Sequence, residues 1–135
     1  MTIRWQIAAL LLAGAGAAAQ APLANDSAQR REMKRADLAG APGMEVVASI
    51  AEYKPGESIA RHLHHGIESA YVVQGATVQP NNGAPPIVLA TGASLLNLRD
   101  VPHGGFKVTG SSALILYTVH IVDKGKPLYD EAAQP

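Results

Sequence analysis

The sequence predicts an all-β fold, a single antiparallel barrel or sandwich. Three observations point to it. Segments of strand length alternate with recurrent Gly, Pro and Asn turn signals, no stretch after Ala21 keeps a helical apolar stripe, and there is no cysteine. Short strands at this spacing are the mark of all-β domains. A chain of this size without disulfides must hold together by its own core, and closing a sheet on itself removes exposed strand edges.

Met1 to Arg4 carries a short positive start, and Trp5 to Ala19 is apolar apart from Gln6. Ala17-Ala18-Ala19-Gln20-Ala21 then offers small-residue cleavage points after Ala19 or Ala21. This is the pattern of a secretory signal peptide. The run is shorter than the roughly 20 residues of a spanning helix and is diluted by Gly14 and Gly16. The expected organisation is residues 1–21 as signal peptide, 22–38 as a leader with room for an edge strand, and 39–135 as the barrel domain. The product is then periplasmic or secreted, with no membrane attachment after cleavage.

The leader from Pro22 is small and polar, and a helix is expected, if anywhere, only around Ser27–Arg35 and near the C-terminus. Its basic cluster, Arg30, Arg31, Lys34 and Arg35, is interrupted by Glu32 and followed by Asp37, which reads as a solvated segment. Eleven basic residues balance eleven acidic ones, so charge gives no support for nucleic acid as a partner. Expected strands are Met44–Tyr53, Ser58–His64, Ser69–Val73, Ile87–Ala90, Ser94–Leu98, Phe106–Val108 and Ala113–Val122. The absence of cysteine excludes a thiolate nucleophile, a Cys-zinc site and a lipidated anchor. Beyond Trp5 the aromatics are Phe106 and four tyrosines, so a ligand cavity is expected to lack a stacking platform.

Chemistry concentrates in Gly56-Glu-Ser-Ile-Ala-Arg-His62-Leu-His64-His65-Gly-Ile-Glu68. Strand side chains alternate faces, so His62 and His64 project side by side. Glu68 lies four residues on, past Gly66, where a short hairpin can return it to the same hole. Two imidazoles and a carboxylate on one wall form a facial set of metal ligands. A fourth is expected from a distant strand, with His103 after Pro102 the candidate. His65 follows His64 and points away, and His120, at the end of a long apolar strand, reads as a wall residue. By alternation Lys107 shares the inner face with His103, in reach of an anionic substrate, although a rim lysine in water is the plainer reading. Arg61 and Leu63 alternate outward, Tyr71 falls on the face opposite Glu68, and Arg99 and Asp100 form a surface turn.

Gly56-x5-His62-x-His64-x3-Glu68-x6-Gly75 resembles the first motif of the cupin superfamily at every fixed position. The second motif is matched in part: Gly92 and His103 keep the spacing, while Leu98, Asp100 and Lys107 replace the usual Pro, Gly and Asn. The resemblance covers roughly Met44 to Val122. It implies a single antiparallel cupin barrel, the double-stranded β-helix or jelly roll, with a divalent metal inside held by His62, His64, Glu68 and His103. An anionic ligand and no sulfur favour Fe or Mn, with Zn, Ni and Cu also suited. Proteins of this resemblance include dioxygenases, decarboxylases, isomerases and lyases, so a metal-dependent enzyme on a small oxygenated substrate is expected. The alternative is a non-catalytic binding or sensing cupin for a small ligand or metal. Homodimerisation through edge strands is a further expectation of the resemblance. The signal reading is checked by intact mass of the exported protein: a mature N-terminus at Gln20 or Pro22 is expected, and a full-length mass would refute cleavage.

Overall fold

The computed structural model describes residues 27–133, and the signal segment expected at residues 1–21 lies outside the described residues. Ten strands follow: β1 Arg30–Asp37, β2 Met44–Tyr53, β3 Ser58–Leu63, β4 Gly66–Gln74, β5 Ala76–Pro80, β6 Ile87–Leu89, β7 Ser94–Asn97, β8 His103–Val108, β9 Leu114–Asp123 and β10 Asp130–Glu131. They form two five-stranded sheets, ordered β1-β2-β9-β4-β7 and β10-β3-β8-β5-β6. All pairings are antiparallel. The fold is all-β, a single antiparallel jelly-roll barrel.

Its logic is that of a long two-stranded ribbon. β2 pairs with β9, β3 with β8, β4 with β7 and β5 with β6, so the chain doubles back on itself with its tip at the Asn81–Gly83 turn. Coiling the ribbon adds the β4–β9 and β5–β8 pairings that complete the two sheets. Residues near 62 thereby meet residues near 103 as cross-strand partners.

The inner rows alternate strictly on the longest strands. Val47, Ser49, Ala51 and Tyr53 of β2 and Leu114, Leu116, Thr118, His120 and Val122 of β9 are buried, with less buried residues between them. Apolar residues gather at the two ends of these rows. One cluster holds Tyr53, Ile59, Val72, Val78, Val108 and Leu114 among others, and a smaller one holds Val47, Val122 and Leu128. Between them runs a polar belt.

Several expectations are corrected. The leader supplies the edge strand it had room for, β1, and not a helix at Ser27–Arg35, because its backbone completes the edge of β2 from Arg30↔Ala51 to Asp37↔Glu45. Its basic cluster is only partly solvated: the Arg30 side chain is 3% exposed, and Arg35 pairs with Glu32 and the buried Glu45. The C-terminal segment forms β10 against β3, and β5 is a strand the sequence reading did not expect. The β3–β4 connection is a corner between sheets rather than a hairpin, since the two strands lie in different sheets. Gly66 is needed there for close approach and not for a turn. A Cβ on it would stand 2.1 Å from the Ile121 carbonyl oxygen and 2.5 Å from the Val122 Cα. Gly66→Ala must therefore prise β4 from β9 and is expected to cost about 3 kcal/mol or more. A urea midpoint equal to wild type would refute this packing.

Candidate metal centre

Two cross-strand rows face each other across the barrel. In the first sheet the register sets Val47 opposite His120, His120 opposite Glu68, and Glu68 opposite Asn97. In the second, His62 stands opposite His103. His64 occupies the corner after β3 and reaches both rows. Its Nε2 lies 3.2 Å from Glu68 Oε2 and 3.0 Å from His103 Nε2, and His103 Nε2 lies 3.4 Å from the same carboxylate oxygen. The His62 ring centroid is 4.9 Å from that of His64 and 4.4 Å from that of His103. The four residues expected from the sequence are thus brought together, with donor atoms of His62, His64 and His103 mutually within 4.8 Å.

The backbone decides which nitrogen each ring offers. Nδ1 of His62 donates to the Ala60 carbonyl at 2.8 Å, Nδ1 of His103 donates to Val101 at 2.9 Å, and Nδ1 of His64 donates to the Leu128 carbonyl. A carbonyl has no proton to give, so each Nδ1 carries the hydrogen and each neutral ring turns an Nε2 lone pair to the centre. Carbonyl-tethered imidazoles of this kind are what a metal site requires around its ligands.

Glu68 is 6% exposed and accepts a hydrogen bond from Asn97 Nδ2 at 2.6 Å. Burial pushes its carboxyl up, whereas a proton or cation on the Nε2 atoms of His103 and His64 outweighs that and holds it well below the usual carboxylate range. The site therefore keeps an anion, and a buried anion needs positive charge beside it. With only lone pairs facing one another at 3.0 Å, His64 and His103 repel unless a proton or a cation sits between them. Donors about 2.0–2.2 Å from one ion and at right angles to each other stand about 3 Å apart, as these do. The donor set fits a divalent ion.

Beside the donors lies a cavity of about 90 Å³. His62, Glu68, Asn97, His103, Thr118 and Tyr129 form its polar end, and Ile59, Ala70, Leu95, Phe106 and Leu116 are among its apolar walls. Tyr53, Phe106 and Tyr129 line it, so the expected lack of aromatic walls is corrected: strand parity and the C-terminal segment direct three of the few rings inward. Lys107 is exposed, and Phe106 takes the inner position instead. Gly104 and Gly105, with φ of 74° and 77°, break alternation between His103 and Phe106. Gly104 also lies against His62, where a Cβ would stand 3.2 Å from the ring. Tyr71 is exposed on the face opposite Glu68, as alternation requires.

Three participants escaped sequence reasoning. Asn97 had one signal, a lone amide within Leu95-Leu96-Asn97-Leu98. Tyr129 comes from the C-terminal segment, its ring centroid 4.4 Å from His62 and 5.2 Å from His64. His120, read as a wall residue, is fully buried with Nε2 3.4 Å from Glu68 Oε1, and the parity of β9 was its signal. His65 does point away, between Asp100 at 3.0 Å and Asp130 at 3.1 Å. Asp100, where the second motif's Gly is missing, takes that turn's left-handed backbone at φ 58°.

The sequence matches the cupin domain family over residues 49–120, more than half of the chain. No curated protein matches it significantly. Among solved structures it is similar to the polyketide cyclase RemF from Streptomyces resistomycificus, at 16% identity and a TM-score of 0.52, covering 71% of this chain and 75% of that one. An uncharacterized conserved protein with a double-stranded β-helix domain from Klebsiella pneumoniae gives 24% identity and 0.51, covering 64% and 76%. A structure of the DMSP lyases RdDddP and RnDddQII gives 18% and 0.51, covering 65% of this chain and 44% of that one. At these identities the likeness is one of fold.

Without metal, burial lowers His62 to about 4 and His120 to about 3, against about 6.5 in an unfolded chain. From about pH 6.5 down to those values the unfolded chain takes up protons that the folded rings refuse. Stability is then fully present above about pH 6.5 and falls on acidification, by up to about 1.4 kcal/mol per pH unit for each ring. Glu68 adds a loss of the same sign only below about pH 4.3. The urea midpoint of the chelator-treated protein is expected to drop steadily from pH 7 to pH 5, and a flat midpoint would contradict these buried neutral rings.

Proposed function

The chain belongs to the cupin domain family, and from that premise we propose that it is an exported metal-binding cupin acting as a metal-dependent enzyme on a small oxygenated molecule. One observation carries this reading. Three imidazoles, each tied through Nδ1 to a backbone carbonyl, gather beside a buried carboxylate, and His62, Glu68 and His103 line one cavity. His62, His64, Glu68 and His103 are the proposed ligands, with Fe or Mn favoured by the carboxylate and the absence of sulfur, and Zn, Ni or Cu also suited. A divalent ion held there supplies Lewis-acid polarisation of a substrate oxygen or, if redox-active, electron transfer.

The chain's own residues would do the rest. Asn97 holds the Glu68 carboxylate by its 2.6 Å hydrogen bond. Ile59, Leu95, Phe106 and Leu116 exclude water from one side of the cavity and accept the apolar part of a ligand. Its volume of about 90 Å³ limits that ligand to a small molecule such as a hydroxy- or keto-acid, a diol or a phenol. Tyr129, whose ring lies on the wall beside His62, is the proposed proton-moving phenol. That group favours an enzyme over a passive binder. The otherwise apolar walls favour the second reading, a non-catalytic protein that captures a small ligand or ion. Polyketide cyclase and DMSP lyase activities occur on similar barrels, so the reaction class here is read from the cavity and not from the fold.

Elemental analysis of protein purified from the exported fraction is expected to find about one metal per chain, and His62→Ala with His64→Ala to abolish it. Metal content unchanged in that double variant would refute the ligand assignment. The wild-type protein should also melt at a higher temperature with metal than after chelation, since the ion binds only the folded state.

A further inference from the structure

His120 is the odd ring of the cluster. His62, His64 and His103 are each tethered to a carbonyl through Nδ1, but neither Nδ1 nor Nε2 of His120 has a hydrogen-bond partner. The side chain is fully buried. A neutral imidazole always carries one N–H, and leaving such a donor unmade in the interior costs about 1–3 kcal/mol. The neighbouring inner positions of β9 are Leu116, Thr118 and Val122, and an aliphatic side chain at 120 would complete that row without buried orphan nitrogens.

Its position relative to Glu68 is set by register, since the two residues are direct cross-strand partners. Nε2 of His120 stands 3.4 Å from Glu68 Oε1, whereas His64, His103 and Asn97 all gather on Oε2. The carboxylate is thus faced from both sides. One donor atom from each of His64, Glu68 and His120 lies within 4.8 Å of the other two, a second potential ligand triad that shares two members with the proposed cage.

The geometry points to His120 as a fifth protein donor to the ion, entering from β9 on the side away from His62 and His103. This rests on the metal-binding reading above. It makes the donor set four imidazoles and one carboxylate, and it changes what the site can accept. A six-coordinate ion with five protein donors has one position left, so a substrate would attach through a single atom and could not chelate through two oxygens.

The test uses full-length mature protein and Co(II) alone as the probe. In the proton NMR spectrum of the Co(II) protein, each bound imidazole gives one strongly shifted exchangeable N–H resonance. Four are expected, and three would overturn the assignment without any variant. The variant His120→Leu should fold, melting without metal at or above the wild-type temperature because it removes two unsatisfied nitrogens. It is expected to show three such resonances and a Co(II) Kd raised by at least about tenfold. In His120→Ala, added imidazole should restore both affinity and the visible spectrum, which it would not do for a wall residue. An unchanged Kd and spectrum in His120→Leu would sink this inference alone. Failure of the wild-type protein to bind Co(II) at all would sink the metal reading beneath it.

Discussion

A carboxylate held inside a barrel is the constraint on which the rest of this molecule turns. Glu68 is buried between two apolar clusters, and its surroundings keep it ionised. Burying a lone carboxylate is prohibitive unless charge and hydrogen bonds meet it. Four polar side chains of the belt can be understood from that demand. Asn97 supplies a donor on one side strand, His120 stands opposite on the other, and His64 and His103 close over Oε2. A positive ion at the point where their nitrogens converge answers the anion and relieves the facing lone pairs together.

Convergence of residues so far apart in sequence follows from the coiled ribbon. Pairing β3 with β8 sets His62 against His103, and pairing β4 with both β7 and β9 lays His120, Glu68 and Asn97 in one row. The parts of this that the sequence discloses are the local ones. His62 and His64 are visible because a two-residue period decides their face, and Glu68 because a fixed offset carries it across the corner. The same parity argument, run along Leu114, Leu116, Thr118, His120 and Val122, puts His120 on the inner wall, and only the register sets it beside Glu68. Lys107 is exposed, as the reading of a rim lysine in water expects, and it shows where the parity rule stops. Parity from His103 would put it inside, but two left-handed glycines intervene and exchange it for Phe106. Strand alternation is reliable only where no residue can leave the β region. Register, which assigns Asn97 its role, is a property of the pairing and cannot be read from either strand alone.

The C-terminal segment contributes what no motif encodes. The cupin match ends at residue 120, yet the next turn and strand fasten the centre from outside. Leu128 packs against Val47 and Val122 while its carbonyl fixes the tautomer of His64. Tyr129 lies over the His62 and His64 rings, and Asp130 with Asp100 grips His65. The adjacent histidines 64 and 65 are therefore held from opposite faces by one stretch of chain, in which the short β10 pairing with Leu63 and His62 sets the position. Donor identity lies in the matched family region, and part of donor orientation lies outside it.

The polar belt also bears on why such a centre persists. A barrel of this size would be more stable with its middle filled by Val, Leu and Ile, since well-packed apolar residues commonly match or exceed a buried ionic group in stability. Instead the interior carries Ser49, His62, His64, Glu68, Thr118 and His120, with the partly buried His103 beside them, and of these Thr118 and His120 keep polar atoms without hydrogen-bond partners. The fold tolerates this because the ends of the barrel are closed by aliphatic packing on both sides of the belt, so the cost falls on one layer while the sheets above and below stay continuous. A layer that lowers the stability of the empty protein and is spared by its neighbours is best understood as one whose energetic return comes only when something binds there.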